Sequence, residues 1–168
     1  MSARAAWRLE SLGFPNVYRY EGGKADWMAN GLPFEGHQSR VPRVADVLRR
    51  DVPTCGPDER VAVARERATG WDECVVVNEA GVVLGSLRRK ALDGDADATA
   101  ADVMDPGPST YRLDVGVEEL AHRLRENDLT HALVATSDGE LVGMFFVADA
   151  EHVHPGETTR GARKKEST

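Results

Sequence analysis

The chain has 168 residues, 41% of them hydrophobic and 29% charged, with a formal net charge of −7. That size and composition fit one domain or one and a half, and no apolar run approaches the roughly 20 residues that span a bilayer. The N-terminus lacks the continuous apolar stretch of a secretory leader, so a cytoplasmic location is expected. A nucleic-acid partner is not, because an acidic chain lacks the broad basic face from which phosphates release counterions.

In chain order, residues 2–12 read as a helix with Ala5, Leu9 and Leu12 on one face, and Gly13 stands where helices commonly end in a left-handed residue. Phe14 to Tyr20 is predicted as a short strand, Gly22 and Gly23 as a turn, and Lys24 to Asn30 as a second helix ended by Gly31 and Pro33. The lone strand would have no sheet partner within this piece. Gly36 to Pro42 is a polar connection.

Two near-copies of one unit follow. Ala45, Asp46, Val47, Leu48 recurs as Ala101, Asp102, Val103, Met104, and Thr54, Asp58, Val61 recurs in the same spacing as Thr110, Asp114, Val117. The run CVVVNEAGVVLG from Cys74 is echoed by ALVATSDGELVG from Ala132 after a two-residue insertion. Each copy reads as a short helix, an extended segment, an amphipathic helix and two strands. One copy has too little core to stand alone, and two packed together make one domain.

The amphipathic helices carry Val61, Ala64 and Ala68 behind a capping Asp58, and Val117, Leu120, Ala121 and Leu124 behind Asp114. Their other faces bear Arg65, Glu66, Arg67, Arg123 and Glu126, the mixed charge of a solvated surface. The strand pairs are Cys74 to Asn78 with Val82 to Leu87, and Ala132 to Thr136 with Leu141 to Phe146, around turns at Ala80-Gly81 and Asp138-Gly139. Beyond Glu151 there is no apolar periodicity, and a disordered tail is expected. Cys55 and Cys74 form no CxxC or metal-finger spacing and read as reduced interior residues. His152 and His154 have no acidic or thiol partner at ligand spacing, so no metal site is expected.

Over residues 44–150, the duplicated unit with its apolar run, Gly-containing turn and closing h-h-G resembles the cystathionine β-synthase (CBS) domain, which occurs in tandem pairs. The resemblance implies an α+β fold whose two repeats pack through their sheets and leave two clefts, which in many members take the adenosine part of a nucleotide. It implies repeat boundaries at 44–98 and 99–150, with 37–43 as linker and 151–168 as tail. In the family, a glycine is followed by two apolar residues, a threonine or serine, two variable residues and an aspartate that accepts from the ribose hydroxyls. The second repeat reads Gly143, Met144, Phe145, Phe146, Val147, Ala148, Asp149, keeping the aspartate and replacing the hydroxyl with Phe146. The first reads Gly85, Ser86, Leu87, Arg88, Arg89, Lys90, Ala91 and lacks both polar groups.

By that resemblance Asp149 is the candidate ribose contact, with Thr110, Tyr111, His131, Ala132 and Phe146 bordering its cleft, and Arg88 with its basic neighbours able to meet phosphates at the first. The plain alternatives are an exposed helix cap for Asp149 and solvated surface charge for Arg88. The implied function is a regulatory, non-enzymatic sensor of an adenine nucleotide such as AMP or ATP, homodimeric through the helices near 59–69 and 115–126. A dimerisation module without a small ligand remains an alternative.

Residues 1–36 resemble the C-terminal end of a rhodanese-like sulfurtransferase domain, on Gly13, Val17, Tyr18, Gly22, Gly23, Trp27, Gly31, Leu32 and Pro33. Rhodanese chemistry carries a persulfide on a loop cysteine, and that loop would precede Ser2. Cys55 and Cys74 belong to the other domain. The expectation is an α/β remnant without sulfurtransferase activity, from a gene that begins upstream of Met1; a truncated sulfurtransferase is the enzymatic alternative.

Overall fold

The computed structural model describes residues 3–18, 23–33 and 41–151. The N-terminal piece holds two helices, α1 (Ala3–Ser11) and α2 (Gly23–Ala29). Gly13 ends the first with a φ of 89°. The strand expected from Phe14 to Tyr20 does not form over Phe14–Tyr18, which pairs with no strand among the described residues. An extended segment with no ladder beside it has no backbone partners to hold it as a strand. Arg19, Tyr20, Gly22, residues 34–40 and the tail from His152 lie outside the described residues. The end of α2 rests on the repeats: the space at Gly31 is bounded by Leu113 and Ala45.

The first repeat runs α3 (Val44–Val47), β1 (Thr54–Cys55), α4 (Val61–Arg67), β2 (Glu73–Val77), β3 (Val83–Arg88) and α5 (Arg89–Leu92). The second runs α6 (Ala100–Val103), β4 (Asp105–Pro106), β5 (Thr110–Tyr111), α7 (Val117–Glu126), β6 (His131–Ala135), β7 (Leu141–Phe146) and α8 (Val147–Ala150). β1 runs parallel to β2, which forms an antiparallel hairpin with β3, and in the same way β5 runs parallel to β6, which forms an antiparallel hairpin with β7. The strands CVVV and ALVA are apolar without alternation because both their faces are covered.

The repeats exchange their leading segments. β4, from the second repeat, adds to the edge of β3 to give the order β1-β2-β3-β4, while Arg49, from the first, forms the equivalent bridge to Met144 on β7. Val44 of α3 is fully buried in a core with Leu120, Leu124 and Phe145, and Ala100 of α6 in a core with Cys74, Val76 and Leu87. The exchange is a pseudo-twofold one, since the bridges Arg43 to Gly116 and Thr99 to Arg60 join equivalent residues with their roles reversed.

That exchange also corrects the expected helix caps. The N-caps of α4 and α7 are Arg60 and Gly116, and neither helix has a side-chain cap. The amides of Val61 and Ala62 instead donate to Ala98 and Ala96, and Val117 donates to Pro42. With the backbone just ahead of α6 and α3 accepting from these first-turn amides, Asp58 and Asp114 have no capping work there. Gly85 and Gly143 are needed where the exchanged segments cross: a Cβ on Gly85 would lie 2.9 Å from the Asp105 carbonyl, and one on Gly143 would strike Leu48 and the Arg49 carbonyl.

Between the sheets, Val75, Leu133 and Met144 are buried, flanked by Val52, Trp71, Val77, Val83, Leu141 and Phe146. At one end the hairpin tips join, Val83 donating to Gly139 and Leu141 to Gly81. At the other end, where β2 and β6 begin, the side chains turn polar.

Candidate functional site

The polar end is built from paired positions. Register sets Glu73 opposite Arg88 in the first sheet and His131 opposite Phe146 in the second. α8 then carries Asp149, and the exchanged segment lays Arg49 along β7, its backbone bonded to Met144 in both directions at 2.9 and 2.8 Å. The Arg49 guanidinium crosses the ring of Phe146, 4.4 Å from its centroid, and makes two hydrogen bonds to Asp149, Nε to Oδ2 at 2.8 Å and Nη2 to Oδ1 at 2.9 Å. The bond to Asp149 holds Arg49 protonated even more firmly than usual; the Asp149 and Asp51 charges add to this and desolvation opposes it.

The two repeats touch through the same cluster. His131 Nε2 lies 3.4 Å from Oε1 of Glu73, whose side chain is only 7% exposed. Because Nε2 faces a carboxylate, it carries a proton, and in the neutral ring Nδ1 accepts from the Thr130 hydroxyl 3.1 Å away. Phe146 stands with its centroid 5.6 Å from His131 and 5.9 Å from Trp71. Arg88 Nε is 4.0 Å from Glu73 and 3.8 Å from Asp105. Asp105 holds the place in its repeat that Arg49 holds in the other, and Arg88 the place of Phe146, so the first cleft presents the charges in reverse and has Ala91 in place of Asp149.

Of the residues singled out from sequence, Asp149, Phe146 and His131 therefore come together, and Arg88 reaches the same cluster through Glu73. Thr110 and Tyr111 do not: they lie on β5, across β6 from β7, paired with Leu133 and Val134. Tyr111 lies beneath Arg123 there, 6.0 Å from ring centroid to guanidinium. Ala132 is buried in the second repeat's core. Arg49, Trp71 and Glu73 were not picked out from sequence, because they come from the opposite repeat; the unlike residues Arg49 and Asp105 at matched positions were the available signal.

Elsewhere, Cys55 and Cys74 are free and buried, as expected of interior thiols. A hydrogen bond between them pushes the Cys74 thiol far up and Cys55 down. A cavity of about 360 Å³ borders Thr54, Cys55, Asn78 and Arg67. Asp58 and Glu79 also line it, and its one cation among the described residues, Arg67, is taken up by Glu59, bonding both carboxylate oxygens, while Glu59 also accepts from the Gly56 amide at 2.7 Å. Among the described residues no cluster of three or more acidic, histidine or cysteine side chains could hold a metal, and no helix is long and apolar enough to cross a membrane. His152 and His154 lie outside the described residues.

The chain belongs to the CBS-domain family, whose model matches residues 44–92 and 100–150, more than half of the sequence. Arabinose 5-phosphate isomerase KpsF of Escherichia coli is 28% identical over 118 residues, which are 65% of this chain but 36% of KpsF, so the chain spans little more than a third of that curated relative. The structure of CBSX2 in complex with AMP, a CBS-pair protein known from Arabidopsis thaliana, is similar at a TM-score of 0.58 and 19% identity, over 66% of this chain and 93% of that one. The cytosolic domain of the Mg2+ channel MgtE in complex with ATP is similar at a TM-score of 0.59 and 23% identity, over 88% of this chain and 58% of that one. At these identities the two structures show the fold.

Proposed function

We propose that this CBS pair is a regulatory module that binds an adenine nucleotide in its second cleft and passes the bound state to a partner or a fused domain by repacking the two repeats. The observation that carries the reading is Asp149, a carboxylate at the start of α8 whose neighbours Phe146, Trp71 and His131 offer flat faces to a base. AMP and ATP bound to CBSX2 and MgtE support the choice of ligand class. The first cleft, with Ala91 in place of the carboxylate, is the weaker or silent one. A thermal-shift and calorimetric titration with AMP and ATP tests this: binding only the folded state raises stability by mass action. One site per chain, lost in Asp149→Ala, supports the reading; two equal sites or an unaffected variant overturns it.

The module is read as non-enzymatic and as a homodimer through the exposed faces of α4 and α7, which light scattering at low and high salt tests. For residues 1–36 the rhodanese-like reading rests on the sequence motif. That segment contains no cysteine, so a thiosulfate sulfurtransferase assay of this chain should give no turnover.

A further inference from the structure

We infer that Arg49 makes the second cleft selective for nucleosides that carry a phosphate, because it occupies the Asp149 carboxylate until an anion on the ligand takes that carboxylate's place. The inference rests on the nucleotide reading of this cleft. Both Asp149 oxygens are engaged by the guanidinium, at 2.8 and 2.9 Å, so ribose hydroxyls can donate to the carboxylate on those edges only by displacing it. A planar fork on a carboxylate is among arginine's strongest pairings, and the same fork fits a phosphate.

The Arg49 backbone cannot follow its side chain, being bonded to Met144 on β7. The side chain is 49% exposed and lies on the Phe146 ring, a flat surface over which it can pivot. When a neutral nucleoside takes Asp149, the guanidinium is left to water and an ion pair is lost. When the ligand brings a phosphate, the guanidinium exchanges one anion for another. The first cleft supplies the contrast: its cation is Arg88, on the sheet, and Ala91 leaves no carboxylate on the following helix for it to guard. The lock is a property of one cleft and not of the fold.

Calorimetric titration of the full chain with AMP and with adenosine, as wild type, Arg49→Met and Arg49→Lys, tests the inference. Methionine keeps an unbranched stem over Phe146 and the backbone bridge while removing the charge; Arg49→Gln makes the same comparison should that variant not fold. Wild type should bind AMP about tenfold more tightly than adenosine, the scale of one charge-assisted contact. Arg49→Met should bring the two affinities within about threefold, adenosine gaining and AMP losing, and Arg49→Lys should keep the AMP preference because it keeps a cation. Equal binding of the two by wild type, or an unchanged preference in Arg49→Met, overturns the inference and leaves the nucleotide reading standing. Failure of AMP and adenosine to bind any of the proteins overturns both.

Discussion

Glu73 and His131 hold the same place in the two repeats and meet each other, imidazole to carboxylate, 3.4 Å apart across the pseudo-twofold axis. Glu73 is the buried member, and Arg88 approaches its other oxygen at 4.0 Å. Glu73→Ala removes the buried carboxylate that His131 and Arg88 both face, leaving Arg88 its contact with Asp105, and we expect it to cost about 1–3 kcal/mol of unfolding free energy. Glu73→Gln keeps an acceptor and should cost clearly less. Urea unfolding of the two variants decides the matter: equal losses would mean that charge, and not hydrogen bonding, holds the repeats together here.

The crossing glycines make a sharper test of the exchange. Gly85→Ala and Gly143→Ala each force a Cβ into backbone of the other repeat, and we expect each to destabilise by about 2–4 kcal/mol, as overpacking at a site that cannot relax does. Gly116→Ala is the control. It has ordinary φ, and a Cβ there would meet only Glu119, at 3.8 Å, so it should change stability by less than about 1 kcal/mol. Thermal melts of the three variants give the comparison, and a tolerated Gly143→Ala would mean that Arg49 does not lie along β7.

The Arg49–Asp149 pair should contribute little to stability, whatever it does for ligands. Its members are 49% and 28% exposed, and partly solvated pairs of this kind are worth about 1 kcal/mol or less. Asp149→Asn should therefore unfold in urea almost with the wild type. A loss of several kcal/mol would make the pair a structural element and not a ligand gate.

The pH dependence has a defined sign at Glu59. Its carboxyl is held below the usual range, first by the hydrogen bonds from Arg67, then by the Gly56 amide, with desolvation opposing. A group depressed in the folded state contributes stability above its unfolded pKa, about 4.3 for glutamate, and loses it as pH falls through the lower folded value. The stability gap between wild type and Glu59→Gln should thus be flat from pH 7 to about 5 and shrink on further acidification. Urea midpoints across that range measure it; a gap that grows in acid would contradict the assignment. Arg67 and Glu59 are both partly exposed, so the gap should be small.

What could be read from sequence was what repeats at a period. Val61, Ala64, Ala68, Val117, Leu120, Ala121 and Leu124 are all buried, as their helical spacing predicts, and each hairpin strand lies within a residue of its expected bounds. The exchange of α3 and α6 was not legible. It is carried by backbone hydrogen bonds, which any residue but proline can make, and its side-chain traces, the matched pairs Gly85 and Gly143 and Val44 and Ala100, do not say which repeat each helix packs on. Missing it hid Arg49 as the partner of Asp149; Thr110 and Tyr111 stand on β5, with β6 between them and Phe146 on β7. The strand expected at Phe14 had apolar residues in favour of it and no strand to pair with among the described residues.

Because each core is completed by a helix from the other repeat, the order of synthesis matters. When Leu87 and Leu92 have left the ribosome, the first core still lacks Ala100 and its sheet still lacks β4, while Val44 waits for Leu120, Leu124 and Phe145, none of which yet exists. The first core can close only after α6 and β4 have been made, and the second only after β7 has. Folding is then weighted toward contacts between residues distant in sequence, slower than helix and hairpin content alone suggests, and the growing chain exposes unfinished cores to chaperones and to its neighbours.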